Sequence, residues 1–156
     1  MKVAILDNLR SVYNVGSIFR TANAAGIEKI ILTGTTPTPV DKIGERRKDF
    51  AKVALGAEDT VVWEYVEDIK SAIESLKKDN YYLIAFEQDE ESVDYKEVSV
   101  EGRESIAFVI GGEVTGITRE VLDMCDVVAE IPMLGTKESL NVTIAFGIGV
   151  YRILGI

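Results

Sequence analysis

The chain of 156 residues contains no histidine. Ser–His and Cys–His nucleophilic mechanisms, imidazole acid–base catalysis and His-ligated metals are therefore excluded. The single cysteine, Cys125, has no partner for an internal disulfide. With no Cys/His set, no metal site is expected. No uncharged apolar run reaches the roughly 18 residues of a membrane-spanning helix. The opening Met1-Lys2-Val3-Ala4-Ile5-Leu6-Asp7 has neither the apolar length nor the small-residue cleavage site of a signal peptide. A cytoplasmic protein is the expectation. Its chemistry must come from carboxylates, Arg and Lys, hydroxyls, backbone groups or a cofactor that already carries an activated group.

Positive charge is also scarce: 17 Lys and Arg face 26 Asp and Glu, for a net charge of −9. That balance argues against a nonspecific nucleic-acid binder, which needs a basic footprint. The distribution is uneven, however. Between Lys42 and Lys52 five bases (Lys42, Arg46, Arg47, Lys48, Lys52) stand against Glu45 and Asp49. Between Glu87 and Glu101 seven acids stand against Lys96 alone. The basic segment, Lys42, Arg46, Arg47 and Lys48 above all, is the candidate phosphate contact. The acidic one reads as solvated surface.

Apolar runs of strand length alternate with stretches of helical length. Strands are expected at Val3–Leu6, Lys29–Leu32, Thr60–Glu64, Tyr81–Phe86, Ile106–Ile110 and Val127–Ile131. Helices are expected at Val15–Ala25, Arg47–Leu55, Val66–Lys78, Thr118–Met124 and Asn141–Leu154, with residues 87–101 mostly loop. Six short strands alternating with helices predict an α/β fold, a mostly parallel sheet covered on both faces. Ligands of such sheets bind beyond the carboxyl ends of the strands. No linker or repeat divides the chain, so residues 1–156 read as one domain with no separate RNA-binding extension.

Three segments near those carboxyl ends have unusual composition. In Asn14-Val15-Gly16-Ser17-Ile18-Phe19-Arg20-Thr21-Ala22, Asn14 suits a helix cap, and Gly16 lies one turn before Arg20. The missing side chain leaves room for a ligand or another backbone, and Arg20 offers a fixed fork of donors for phosphate. A capped helix with a surface arginine fits the same residues. In Gly111-Gly112-Glu113-Val114-Thr115-Gly116, glycines after a buried strand admit a ligand to the backbone, and Glu113 can accept hydrogen bonds. The spacing is not that of a dinucleotide fingerprint. In Ile131-Pro132-Met133-Leu134-Gly135-Thr136-Lys137-Glu138-Ser139-Leu140-Asn141-Val142, apolar residues alternate with loop backbone, which suits an adenine-sized pocket. Ser139 or Asn141 also fits a helix cap. Gly147 and Gly149 each cost a helix about 1 kcal/mol against Ala, which points to close packing, a subunit partner being one candidate.

Together the three segments resemble the SPOUT superfamily, and within it the SpoU/TrmH-type tRNA and rRNA 2′-O-ribose methyltransferases. Asn14, Gly16, Arg20 and Ala22 match the first motif, and Gly111, Glu113 and Gly116 the second. Pro132, Met133, Gly135, Ser139–Val142 and Tyr151 match the third. The resemblance runs in order from Asn14 to Tyr151. It departs in Arg152, where relatives commonly carry Glu, and in a chain that begins directly at its first strand.

The resemblance implies a six-stranded α/β fold with a C-terminal trefoil knot, a homodimer with its active site near the subunit interface, and S-adenosylmethionine bound bent in the knot. Gly111, Ile131, Met133 and Leu140 are then the cofactor contacts. Arg20 is the catalytic arginine, and Asn14, Glu113, Ser139 and Asn141 shape the site. A guanidinium with a pKa above about 12 is a poor base, so a phosphate oriented by Arg20 is the candidate proton acceptor, with Arg20 stabilising the charge that develops. Methylation of a base instead of a ribose is one rival reading. Another is a catalytically idle cofactor-binding dimer serving RNA binding or assembly. A generic nucleotide-binding domain is disfavoured by the lack of a phosphate-binding glycine loop after the first strand.

Overall fold

A computed structural model describes residues 1–156. The two most deeply buried strands form the middle of the sheet. Strand β1 (Lys2–Asp7) pairs in parallel with β6 (Ile106–Ile110), Ala4 opposite Phe108 and Leu6 opposite Ile110. The other strands are β2 (Lys29–Thr33), β3 (Val62–Val66), β4 (Tyr82–Phe86), β5 (Val93–Asp94) and β7 (Val127–Glu130). The order across the sheet is β3-β2-β1-β6-β4-β7-β5, and every pair is parallel.

Burial on both faces explains why the central strands are apolar without alternation. The period of two then sorts each strand between two cores. Ala4 and Leu6 face helices α1 (Val12–Ala24), α2 (Lys48–Ala54) and α6 (Val142–Leu154), through Val15, Ile18, Phe19, Phe50, Phe146 and Val150. Val3 and Ile5 face α4 (Ile69–Lys78) and α5 (Arg119–Leu122), through Ile73, Leu76, Val121 and Leu122. A fully buried Leu, Ile or Phe contributes roughly 1.5–3 kcal/mol. Phe19 and Phe50 meet edge to face at 5.1 Å and lock α1 onto α2.

The sheet has seven strands, not six. β5 lies inside the acidic stretch read as loop; it is two residues long and pairs only with β7, too short to leave a sequence pattern. Between Gly56 and Val61 the chain first forms a short helix, α3 (Ala57–Thr60), so β3 starts later than Thr60. Helix α4 begins at Ile69, because Asp68 caps it by accepting from Ser71 N–H at 3.1 Å. Helix α2 ends on Leu55 in the left-handed region, φ 52°, one residue before Gly56. Thr118 stands at the N-cap of α5 without a side-chain cap bond. No helix is long and apolar enough to cross a membrane.

Candidate functional site

Three chain segments leave the carboxyl ends of neighbouring strands β4, β6 and β7 and enclose one cavity of about 740 Å³. That is within the range that takes a nucleoside-sized ligand. Phe86–Asp89 leave β4, Gly111–Ile117 leave β6, and Ile131 and Met133 leave β7; Ser139–Val142 and Phe146 close the far wall.

The wall after β6 depends on missing side chains. Gly116 N–H donates to the Gly112 carbonyl at 2.9 Å, folding the turn back on itself, and Gly116 holds φ +62°. A Cβ on Gly111 would lie 2.5 Å from the Gly116 carbonyl carbon, and one on Gly112 would overlap the Asn8 carbonyl oxygen. Backbone is therefore what this wall presents to the cavity.

Glu113 sits on that turn and reaches across to α1. Its Oε1 accepts from Asn14 Nδ2 at 2.7 Å and its Oε2 from Arg10 N–H at 3.3 Å. Asn14 is not the helix cap: Ser11 is, its Oγ accepting from Asn14 N–H at 3.2 Å. The cap lies three residues earlier because α1 begins at Val12, which frees the Asn14 amide for Glu113. On the opposite wall Asn141 caps α6, its Oδ1 accepting from Thr143 N–H at 2.9 Å and from the Thr143 hydroxyl at 2.6 Å. Ser139 is left without a capping role, exposed and lining the cavity.

The lining carries Glu87, Asp89, Glu113 and Glu130 against one cation, Arg119. Arg119 is already held by Asp89 at 3.0 Å, by Asp123 at 2.8 Å and by Glu91, and the Glu91 contact above all pushes its pKa upward. The field inside is therefore negative and favours a cationic ligand. Glu87, Gln88 and Asp89 belong to the acidic run read as solvated surface, so part of that run is in fact wall. Nothing in composition separates the two; only the position of β4 beside β6 and β7 does.

Of the residues singled out from sequence, Gly111, Glu113, Ile131, Met133, Ser139, Leu140 and Asn141 all line this cavity, and Asn14 joins it through Glu113. Arg20 does not. It lies on the exposed side of α1, outside the lining, with no ion pair inside the chain. The space beside Gly16 is taken by another backbone: a Cβ there would be 3.3 Å from the Phe50 carbonyl of α2 and 3.2 Å from Val53 Cβ. The basic segment is partly neutralised. Arg46 is bound to Glu58 at 2.5 Å and Asp59 at 2.7 Å, and Arg47 to Asp49 at 2.9 Å, whereas Lys42 and Lys48 are exposed and unpaired.

Fold and cavity together define an α/β protein with a nucleoside-sized cavity at the carboxyl ends of a parallel sheet. Residues 1–151 match the model of the SpoU rRNA Methylase family, and the chain belongs to that family. It is 34% identical over 149 residues to the 23S rRNA (guanosine-2'-O-)-methyltransferase RlmB of Bordetella pertussis, covering 95% of this chain and 57% of that protein. It is likewise 34% identical over 153 residues to a protein of Staphylococcus aureus (strain COL) named for the TrmH family of tRNA/rRNA methyltransferases, covering 98% of this chain and 58% of the relative. The chain thus spans somewhat over half the length of these curated relatives. Among solved structures, the AdoMet-bound rRNA methyltransferase from Sinorhizobium meliloti superposes with a TM-score of 0.85 at 25% identity, covering 97% of this chain and 55% of that one. The TrmH/SpoU tRNA modifying enzyme of A. aeolicus gives 0.83 at 25% identity, with 97% and 73% covered.

Proposed function

We propose that the chain transfers a methyl group from S-adenosylmethionine to a ribose 2′-hydroxyl of tRNA or rRNA, as a homodimer in the cytoplasm. The observation that carries this reading is convergence. Residues from the second and third family motifs, far apart in sequence, line one cavity, and Asn14 of the first motif is hydrogen-bonded to it. The names of the relatives support the reaction class.

The residues present fit the cofactor. A bare-backbone turn and apolar Ile131, Met133 and Leu140 suit a purine, and the negative lining suits a sulfonium. S-adenosylmethionine, when bound, supplies a methyl group that is already activated. The protein must then align the acceptor oxygen and dispose of its proton. Gly111, Ile131 and Leu140, which line the cavity, would hold the cofactor. Glu113 and Asn14 fix the rim. Arg20 grips an RNA phosphate, which takes the 2′-hydroxyl proton, and stabilises the charge that develops. The placement of Arg20 outside its own cavity supports a site completed between two subunits. The apolar face of α6, with Ile144, Ile148 and Tyr151 exposed at 52%, 40% and 37%, is the surface that such a partner would cover. The reading includes a trefoil knot through which the C-terminal segment threads, an arrangement essentially absent outside a few folds. Lys42 and Lys48 supply phosphate contacts, and Arg46 and Arg47 do so less, being paired within the chain.

Mass spectrometry of nucleosides from cells with and without the gene tests the reaction. Loss of one 2′-O-methylated nucleoside is expected. Loss of a base-methylated nucleoside would move the chemistry to the base, and no change in any RNA would favour the idle cofactor-binding dimer.

A further inference from the structure

Glu87, the first residue after β4, is stitched to both walls of the cavity. Its backbone N–H donates to the Ala129 carbonyl of β7 at 3.2 Å. Its Oε2 accepts from the Ile117 N–H, at the end of the glycine turn, at 2.9 Å, and its Oε1 accepts from Gln88 N–H at 3.0 Å. The seat is shaped for this carboxylate: a Cβ on Gly116 would come within 2.5 Å of Oε2. Ile117 is itself buried against the α4 and α5 core, so the bond ties the end of the turn to a fixed point. Glu87 is the only acceptor that its N–H finds.

We propose that Glu87 is a positioning residue for the cofactor site, a carboxylate latch that holds the Gly112–Gly116 turn in its ligand-accepting shape. The latch itself follows from geometry; its effect on S-adenosylmethionine rests on the cofactor reading given above. The neighbouring residue completes the logic. Phe86 stacks on Phe108 at 5.7 Å and fills the space left by Gly149 of α6. Successive residues at the end of β4 thus set the α6 wall and the glycine wall, on opposite faces of the sheet as the period of two requires. A latch of this kind acts on binding, because the turn must be ordered before ligand can use its backbone.

Amide hydrogen exchange of the cofactor-free protein and calorimetry with S-adenosylmethionine test the proposal together. In E87A, exchange at Ile117 is expected to rise at least tenfold, and the Kd for S-adenosylmethionine to rise roughly tenfold, the scale of one lost charge-assisted bond. KM for the cofactor should rise with it while kcat at saturation stays within about twofold. E87Q, whose amide oxygen can accept the same N–H, should restore protection and most of the affinity. It also carries the test if E87A does not fold. Wild-type exchange at Ile117 in E87A, or an E87Q that folds but leaves Ile117 unprotected, would overturn the latch. An unchanged Kd in E87A would overturn its role in binding. Failure of the wild-type protein to bind S-adenosylmethionine would instead overturn the cofactor reading, and the exchange measurement would still decide the latch.

Discussion

Asn14 Nδ2 donates to Glu113 Oε1 at 2.7 Å across 99 residues of sequence, so the first turn of α1 and the turn after β6 form one rim. Glu113 also accepts from Arg10 N–H, which makes its carboxylate the common acceptor for two points on the segment leading into α1. N14A and E113A are each expected to lower kcat/KM at least tenfold. In a double-mutant cycle on unfolding free energy they should couple by about 1 kcal/mol, the scale of a partly exposed bond to a charged group. Strict additivity would mean that the bond contributes nothing to stability.

Gly149 faces the Phe86 ring without room for a methyl group, whereas a Cβ on Gly147 would meet only Thr21 Cγ2 at 3.8 Å. G149A should therefore destabilise the protein by about 1–3 kcal/mol through overpacking, even though alanine is the better helix former. G147A should unfold within about 1 kcal/mol of the wild type, since the gain in helix propensity meets no internal clash. Thermal denaturation of the two variants side by side checks the contrast. Equal destabilisation would sink it.

The same pair of glycines shows what was legible in sequence and what was not. Both read as sites of close packing; within the chain only Gly149 is packed closely, against a phenylalanine. Strand identities read well because β1, β2, β4 and β6 are apolar runs buried on both faces, a pattern that needs no tertiary knowledge. β5 did not, since two residues carry no period. The motif residues of the cavity could be named because three segments in order resemble those of a known family; composition alone offered only a glycine turn and an apolar loop after buried strands. Glu87 and Asp89 could not, because an acid in an acidic run looks the same whether it meets water or a cavity. Nor could the neutralisation of Arg46, whose partners Glu58 and Asp59 are brought near by the chain reversal between β2 and α3.

Glu58 is buried beside that arginine. Burial alone would raise its pKa; hydrogen bonds from Arg46 and from the backbone N–H groups of Glu58 and Gly56 outweigh it and hold the carboxyl below its ordinary range. A lowered folded-state pKa means that the stabilisation is present above the unfolded value of about 4.3 and is lost as pH falls through the folded one. E58Q should be less stable than the wild type at pH 7 by about 1–3 kcal/mol. The gap should close as the pH drops below about 4, and urea denaturation at a series of pH values would reveal it. A gap that stayed constant would assign the loss to packing and not to charge.

Cys125 is the only thiol, and burial, with Asp126 adding to it, pushes its pKa up to about 12. Only the thiolate reacts with alkylating agents. Iodoacetamide at pH 8 should therefore label the folded protein at least a hundredfold more slowly than the urea-unfolded chain, whose thiol returns to about 8.5. Comparable rates in the two states would show that the α5–β7 corner opens readily.

The exposed stripe on α6 makes the strongest demand on assembly. Ile144, Ile148 and Tyr151 are spaced i, i+4, i+7 and form one face of the helix, and α6 already packs its other side on Phe86 and α1. Charged substitution there should leave the fold intact while removing apolar area from any contact between copies. If the proposed homodimer forms through this stripe, the wild type is expected to sediment as a dimer and I148E as a monomer at the same concentration, with circular dichroism unchanged. If Arg20 serves the neighbouring subunit, I148E should also lose methyl transfer despite an intact cavity and near-normal cofactor binding. Mixing two inactive dimers, R20A and N141A, should restore about a quarter of wild-type activity, because half of the chains enter mixed dimers and each mixed dimer holds one complete site. An active I148E monomer would place Arg20 and its cavity in the same chain, and no activity in the mixture would exclude a site shared between subunits.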